Sequence, residues 1–457
     1  MSITEELVQY MQEASFDRIP AQAVARVKDL ILDDMGNAIG GSAMGSAAIL
    51  FDWCRTYQSI PEATVLAAGL RVPAWLAAGV NAQSAMALDF METYKNMGHP
   101  GSGIVMTALA LGERHRVPGR ELIATVCAAY DVTARIIDAT VPSPDLRRRV
   151  WNESWHACGP VLAALRLMGL DHDQGMHALG MGMGNAPTLN VHNVLFIPGS
   201  MSKAANHMHA FVGINAAELA RLGYTGYHEV LDDPYGYWTT FSDTNREEVY
   251  TQDLGRMFSV ETAMALKPWP TCRWAQPGIE SLRDIMASEG LRPEDVAEVT
   301  YRAHEKITTY PYDSIDPKTP EDAYWTVPWA FANAALSHHP GPDWYREERF
   351  RDEALRDFMK KVRIVTLPEA VETFAREPEK SVTELEVKDA SGTIRTRRTE
   401  YCKGDPQRPL SHEEVVEKFL RQTDGILSRD RAHRLVECVD GLENMEDVSS
   451  LPALAQD

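Results

Sequence analysis

Apolar residues recur at helical spacing through most of the first 265 residues. After Pro20, Val24, Val27, Ile31 and Met35 share one face; after Gly119 the same spacing groups Leu122, Val126, Tyr130 and Thr133. Two stretches are rich in small residues, Gly36-Asn37-Ala38-Ile39-Gly40-Gly41 and Ala74 to Leu88. Small side chains let helices approach closely, so these predict tight helix packing in an all-helical domain over residues 1–265. Beyond about Lys267 the period shortens. Residues 296–303 and 361–365 alternate as half-buried strands do, and 383–388 and 393–398 flank Asp389-Ala390-Ser391-Gly392 as a hairpin. Segments 328–336 and 351–359 read as helices between the strands, which makes residues 266–404 a smaller α+β domain. Residues 405–457 return to helix: Ser411-His412-Glu413-Glu414 fits a capping box, with Leu410 and Val415 spaced for a hydrophobic staple. The acidic tail after Asn444 is expected to be loosely held.

Composition narrows the partners. With 45 Lys+Arg against 65 Asp+Glu the chain carries a formal charge of -20, which opposes binding to nucleic acid or to an anionic membrane. A polycarboxylate substrate would also be repelled, so its pocket must supply local cations. The six cysteines are scattered without a C-x-x-C pair, and no uncharged apolar run reaches spanning length. The first residues lack the basic and apolar regions of a signal peptide. A cytoplasmic protein with reduced thiols is expected.

Four segments carry candidate chemistry. Leu88 to Gly101 places Asp89, Glu92, Lys95 and His99 where a small-residue helix gives way to Gly98-His99-Pro100-Gly101, and carboxylates and an imidazole in such a corner can have tuned pKa values. Taken alone, the segment is as easily a polar helix end. His156 stands just before an apolar helix, where N–H groups favour an anion, although a capping or buried structural histidine is commoner. Lys203 in Gly199-Ser200-Met201-Ser202-Lys203 puts a cation at the wrong end of a helix for stability, which suits an anionic ligand or a solvated lysine. In Leu266-Lys267-Pro268-Trp269-Pro270-Thr271-Cys272-Arg273 two prolines stiffen the domain junction, so that Lys267 and Arg273 can be aimed across a cleft.

In order and spacing these segments resemble the MmgE/PrpD family, which includes 2-methylcitrate dehydratases, cis-aconitate decarboxylases and an iminodisuccinate epimerase. The resemblance implies a large helical domain, completed by the C-terminal helices, with the α+β domain as a lid. It also implies a homodimer and cofactor-free, metal-independent chemistry on small di- or tricarboxylates. The family's active-site positions fall on Asp89, His99, His156, Lys203 and Lys267, with Arg273 a carboxylate binder and Glu92, His207 and Trp329 completing the substrate site. Three segments depart from the pattern: Asp89-Phe90-Met91-Glu92-Thr93 replaces Asp-Phe-Asp-Asp-Thr, Asn206 replaces a histidine, and Trp329 stands where the decarboxylases carry a tyrosine.

The last substitution removes a hydroxyl proton donor, so a 2-methylcitrate dehydratase-like hydro-lyase is the expected activity, with decarboxylase and epimerase as alternatives. Dehydration requires a base beside a carboxylate, an acid for the departing hydroxyl and cations for the developing charge. His99 and His156 are assigned to proton transfer, Asp89 to orienting an imidazole, and Lys203, Lys267 and Arg273 to the carboxylates. Metal binding by His207-x-His209 is disfavoured because residues two apart on a helix diverge. Gly180-x-Gly182-x-Gly184 follows a helical pattern, not a strand, so it predicts close packing or a flexible loop lining the pocket instead of a nucleotide loop. A relative that binds a carboxylate metabolite without turnover is the non-enzymatic alternative.

Overall fold

The computed structural model describes residues 1–147, 149–151, 153–186, 189–190, 199–200, 205–232 and 234–456. The chain is mostly α, as the 3.6-residue period predicts. Helices Ala21–Gly41 and Gly119–Ala139 form where the spacing placed them, each directly after a proline that fixes the entry angle. Helices Ala74–Met86 and Gly101–His115 are buried on almost every side and lie at the centre of the helical packing. Their small residues allow this: a Cβ on Gly41 would sit 1.8 Å from the Ser84 carbonyl oxygen, and one on Gly79 would meet the Phe211 ring at 1.9 Å. Gly180 is likewise a packing glycine, on helix His172–Gly184, against the backbone of Tyr227.

A four-stranded sheet runs in the order Ile394–Thr399, Thr383–Asp389, Val296–Ala303, Val362–Thr366. The first two pairings are antiparallel and the last is parallel. The expected hairpin pairs Ile394 with Lys388. Helices Val327–Ala335 and Glu353–Met359 lie in the connection between the two parallel strands, since a parallel pair cannot be joined by a tight turn. Helix Gln276–Glu289 packs on this sheet.

Apolar side chains divide into two clusters. One takes residues from Leu7 to Leu266 and again from Leu410 to Ala455; the other takes Cys272 to Val387 together with Met44, Ala87, Leu88 and Phe90. Helix His412–Thr423 opens with the expected capping box, Ser411 and Glu414 satisfying each other's backbone N–H, and packs on Ala21–Gly41. The tail corrects its expectation. Leu451 and Ala455 are fully buried, and the Ala455 carbonyl accepts from Ala67 N–H at 2.8 Å. Apolar positions within a polar sequence were enough to anchor it. None of the six cysteines forms a disulfide, and among the described residues no helix is long and apolar enough to cross a membrane.

Candidate functional site

Asp89 and Lys267 both lie where the chain passes from one apolar cluster to the other, next to Leu88 and Phe90 in the first case and Leu266 in the second. A two-residue antiparallel ladder brings them together: Thr93 pairs with Ala265 and Tyr94 with Met264. Three residues past helix Ala74–Met86, Asp89 takes a left-handed φ of 49°, a conformation that aspartate tolerates better than most side chains. That turn aims both its oxygens at one cation. Lys267 Nζ donates to Asp89 Oδ1 at 2.6 Å and to the Asp89 carbonyl at 2.7 Å, with the Thr271 carbonyl at 3.4 Å. Both side chains are excluded from solvent, so the attraction acts in a medium of low dielectric.

The imidazoles are organised by the next turn. Tyr94 N–H and Thr93 Oγ1 both donate to the Gly98 carbonyl, at 2.8 and 3.2 Å, closing a loop that delivers His99. His99 Nδ1 lies 2.7 Å from the Glu92 carbonyl, which can only accept, so Nδ1 carries the proton and Nε2 is the basic nitrogen. His156 is in the opposite state. Its Nε2 accepts from His99 N–H at 3.1 Å and from Trp155 Nε1 at 3.2 Å, which leaves the proton on Nδ1. Glycine is required at position 98, because a Cβ there would stand 2.4 Å from His156 Nε2. His209, from helix Ala205–Arg221, brings a third buried ring 6.3 Å from His156.

Asp89, Glu92, His99, His156 and Lys267 are thus linked through one segment. Lys203 and the His207 side chain fall outside the described residues. Arg273 is buried in an ion pair with Asp405 and donates to Cys402 Sγ at 2.8 Å. Burial opposes its charge, but Asp405 and Cys402 more than restore it. Trp329 is fully buried and stacks on Phe350, ring centroids 4.5 Å apart. The orienting contact of His99 comes from the Glu92 carbonyl, not from Asp89, whose carboxylate is held by Lys267. Lys267 and Arg273, expected to meet substrate carboxylates, therefore each have an anionic partner of their own. With 65 Asp+Glu against 45 Lys+Arg in the chain, carboxylates are available to pair with buried cations.

Sequence reasoning missed two sets of residues. The first is a second buried ion pair, Lys418 with Asp33 at 2.6 Å, in which Lys418 Nζ also donates to the Phe90 carbonyl at 2.8 Å. Beside it lie Asp34 and Glu92, whose Oε1 accepts from Gly101 N–H at 2.6 Å. Burial is the main cause that raises Glu92 to about 7, with Asp33 adding to it and the Gly101 N–H, Lys267 and Lys418 opposing. The second set comprises Tyr312, Tyr324 and Tyr345, which are buried and close enough to Asp89 for its charge to add to burial in raising their hydroxyl pKa values. The signal for the first was Asp33-Asp34 following the apolar run Leu30-Ile31-Leu32. No sequence signal marked the second. A cavity of about 690 Å³ opens nearby, lined by Ser154, Met183, Tyr227, His228 and Tyr237 among others. Among the described residues no three His, Cys, Asp or Glu side chains gather as a metal-binding group.

Two family models cover most of the chain, the MmgE/PrpD N-terminal domain at residues 5–249 and the MmgE/PrpD C-terminal domain at 269–444. The chain belongs to the MmgE/PrpD family. Similar curated proteins include the cis-aconitate decarboxylases of Mus musculus, 23% identical over 468 residues, and of Homo sapiens, 24% identical over 467. These alignments take in 99% of this chain and 93% and 94% of the relatives. The cis-aconitate decarboxylase-like protein oryM of Aspergillus oryzae is 23% identical over 481 residues, 99% of this chain and 97% of that protein. The relatives are lyases by name, and the match to a family model at residues 5–249 contains Asp89, Glu92, His99 and His156.

Proposed function

We propose that this MmgE/PrpD protein is a lyase acting on a small di- or tricarboxylic acid without a metal, and that decarboxylation of cis-aconitate is the first reaction to test. One observation carries the reading: two imidazoles, joined through the His99 N–H, are held by the same segment that carries Asp89 of the buried lysine–aspartate pair. His99, whose Nδ1–H is fixed on the Glu92 carbonyl, leaves Nε2 to take up and return a proton, and the neutral His156 offers Nδ1–H as a hydrogen-bond donor. In the decarboxylation, the C–C bond to a carboxylate breaks, carbon dioxide leaves, the electron pair shifts through the existing alkene, and a proton is added at carbon. The donor in this scheme is His99 in its imidazolium form, and the neutral His156 hydrogen-bonds the developing charge through Nδ1–H. Lys267, kept charged by Asp89, stabilises the negative charge that develops as the bond breaks.

Dehydration of a 2-methylcitrate-like hydroxy acid is the second reading, and Trp329 favours it. An indole cannot give the hydroxyl proton that the decarboxylase tyrosine supplies, whereas Tyr312 and Tyr324 offer hydroxyls in the same apolar cluster. The division into a helical body, 1–265 with 405–457, and an α+β lid, 266–404, belongs to this reading and is supported by the two separate apolar clusters. A homodimer belongs to it too, and light scattering tests that. Incubation of the purified chain with cis-aconitate, 2-methylcitrate and citrate, following carbon dioxide release and alkene absorbance, separates the reactions. Carbon dioxide from cis-aconitate supports the first, alkene formation from a hydroxy acid supports the second, and binding without product from any of them refutes both. Activity that survives chelation supports metal independence.

A further inference from the structure

Gly101 opens helix Gly101–His115, and three buried polar groups converge on it. A Cβ at this position would lie 1.9 Å from the Tyr130 hydroxyl, 2.7 Å from the Glu92 carboxyl carbon and 2.8 Å from Asp34 Oδ2. All three come within 3 Å of one point, and the Tyr130 hydroxyl, Glu92 Oε2 and Asp34 Oδ2 have no hydrogen-bond partner among the described residues. Orphaned polar atoms in such number are costly unless they share protons with one another.

Charge points the same way. The groups facing this point are Arg26, Asp33 and Asp34 from helix Ala21–Gly41, Ser102 beside Gly101, Tyr130 from helix Gly119–Ala139, Lys418 from helix His412–Thr423, and Glu92 and Lys267 from the loops. Lys418 is committed to Asp33, Lys267 to Asp89, and Arg26 turns to the Met264 carbonyl and Asp29. Among the described residues the Asp34 carboxyl is met by the Ser102 hydroxyl, at 3.2 Å, and the Glu92 carboxyl by the Gly101 N–H. Two carboxyl groups without cations of their own cannot both ionise in a dry interior.

We propose that Glu92 and Asp34 form a buried acid pair, completed by Tyr130, that holds one proton between them and positions His99. The linkage runs through a single residue: the Glu92 carbonyl receives His99 Nδ1 and its carboxylate receives Gly101 N–H, so both neighbours of Pro100 are tied to Glu92. Loss of the shared proton puts two negative charges against each other across Gly101 and shifts Glu92, and with it the imidazole. Burial raises both carboxyls, Glu92 to about 7, which sets this event near neutrality. The positioning role rests on His99 acting in proton transfer; the acid pair itself does not.

The test uses the full chain labelled with 15N-histidine, without substrate, and follows the His99 ring resonances against pH. The wild-type protein is expected to show, besides the titration of His99 itself, a second inflection near pH 7, absent from Glu92→Gln and Asp34→Asn. Tyr130→Phe, which keeps the ring and removes only the hydroxyl, keeps the inflection but moves it by about half a unit or more. On whichever acid is turned over, Glu92→Gln lowers kcat about tenfold or more with KM within about threefold, and Glu92→Asp recovers part of the loss. His99 titrations that superimpose across the wild type and all three variants would overturn the proposal, and Tyr130→Phe decides it if the carboxyl variants do not fold. An inflection in a protein that turns over none of the acids supports the acid pair and refutes the function proposed above.

Discussion

Two lysine–aspartate pairs of equal length are buried in this protein, Lys267 with Asp89 and Lys418 with Asp33, each at 2.6 Å and each almost wholly shielded from water. The lysines grip adjacent peptide groups, Lys267 the Asp89 carbonyl and Lys418 the Phe90 carbonyl. Their chemistry is the same and their surroundings differ. Lys267 lies where the chain passes between the two apolar clusters, and its partner Asp89 acts on the hydroxyls of Tyr312, Tyr324 and Tyr345 and stands on the segment that leads to His99. Lys418 reaches in from helix His412–Thr423 and lies above the Phe90 ring at 3.9 Å, among carboxyl groups. Burial of an ion pair is therefore no sign of catalysis by itself; what distinguishes the first pair is the set of tyrosine hydroxyls within reach of the Asp89 charge.

The largest effect is expected at Lys267. Lys267→Met leaves the Asp89 carboxylate buried without its cation, which costs about 3–5 kcal/mol in urea unfolding and abolishes turnover of the substrate. His156→Gln should lower kcat by about 10²–10³ while unfolding stays within about 1 kcal/mol of wild type, because it removes the imidazole that hydrogen-bonds the developing charge and keeps a polar side chain of similar size. Lys418→Met should destabilise by about 3 kcal/mol, yet lower turnover per folded molecule less than tenfold. Equal losses of turnover at Lys267 and Lys418 would erase the distinction between the pairs.

Smaller effects appear in the pH dependence of stability. Glu92, raised from 4.5 to about 7, binds its proton more tightly in the folded state, so the contribution is present at low pH and is lost as pH rises through that interval. Glu92→Gln should accordingly gain on wild type between about pH 5 and 8, by an amount on the order of 3 kcal/mol. Melting curves that run parallel across that range contradict the assignment. His412 is raised by Asp29 and Asp440 against the opposing effect of burial, so its contribution is present below its unfolded value and lost as pH rises through the folded one. It is half exposed, so His412→Gln should cost well under 1 kcal/mol at about pH 6 and nothing at about pH 9.

The helices and the sheet were legible because their periods are local. Val24 to Met35 and Leu122 to Thr133 announce buried faces without reference to anything distant, as the capping box at Ser411 does. Asp89, His99 and His156 were legible as chemistry because glycine and proline corners flank them. What stayed hidden depends on long-range pairing. Asp33-Asp34 reads as the polar side of a helix until Lys418 returns from the far end of the chain to meet it. Arg273 reads as a substrate clamp until Asp405 takes it, and Asp89 as the partner of an imidazole until Lys267 does. The tail after Asn444 was misread for a related reason: acidic composition hid Val448, Leu451 and Ala455, which pack against distant helices.

Co-crystallisation with cis-aconitate tests the central claim most directly, that distant segments build the reaction site where the two apolar clusters meet. The account predicts electron density for the acid between His99, His156 and the Lys267–Asp89 pair, with a carboxylate within hydrogen-bonding reach of an imidazole. Density for the acid elsewhere, with the two imidazoles and Lys267 untouched, contradicts it.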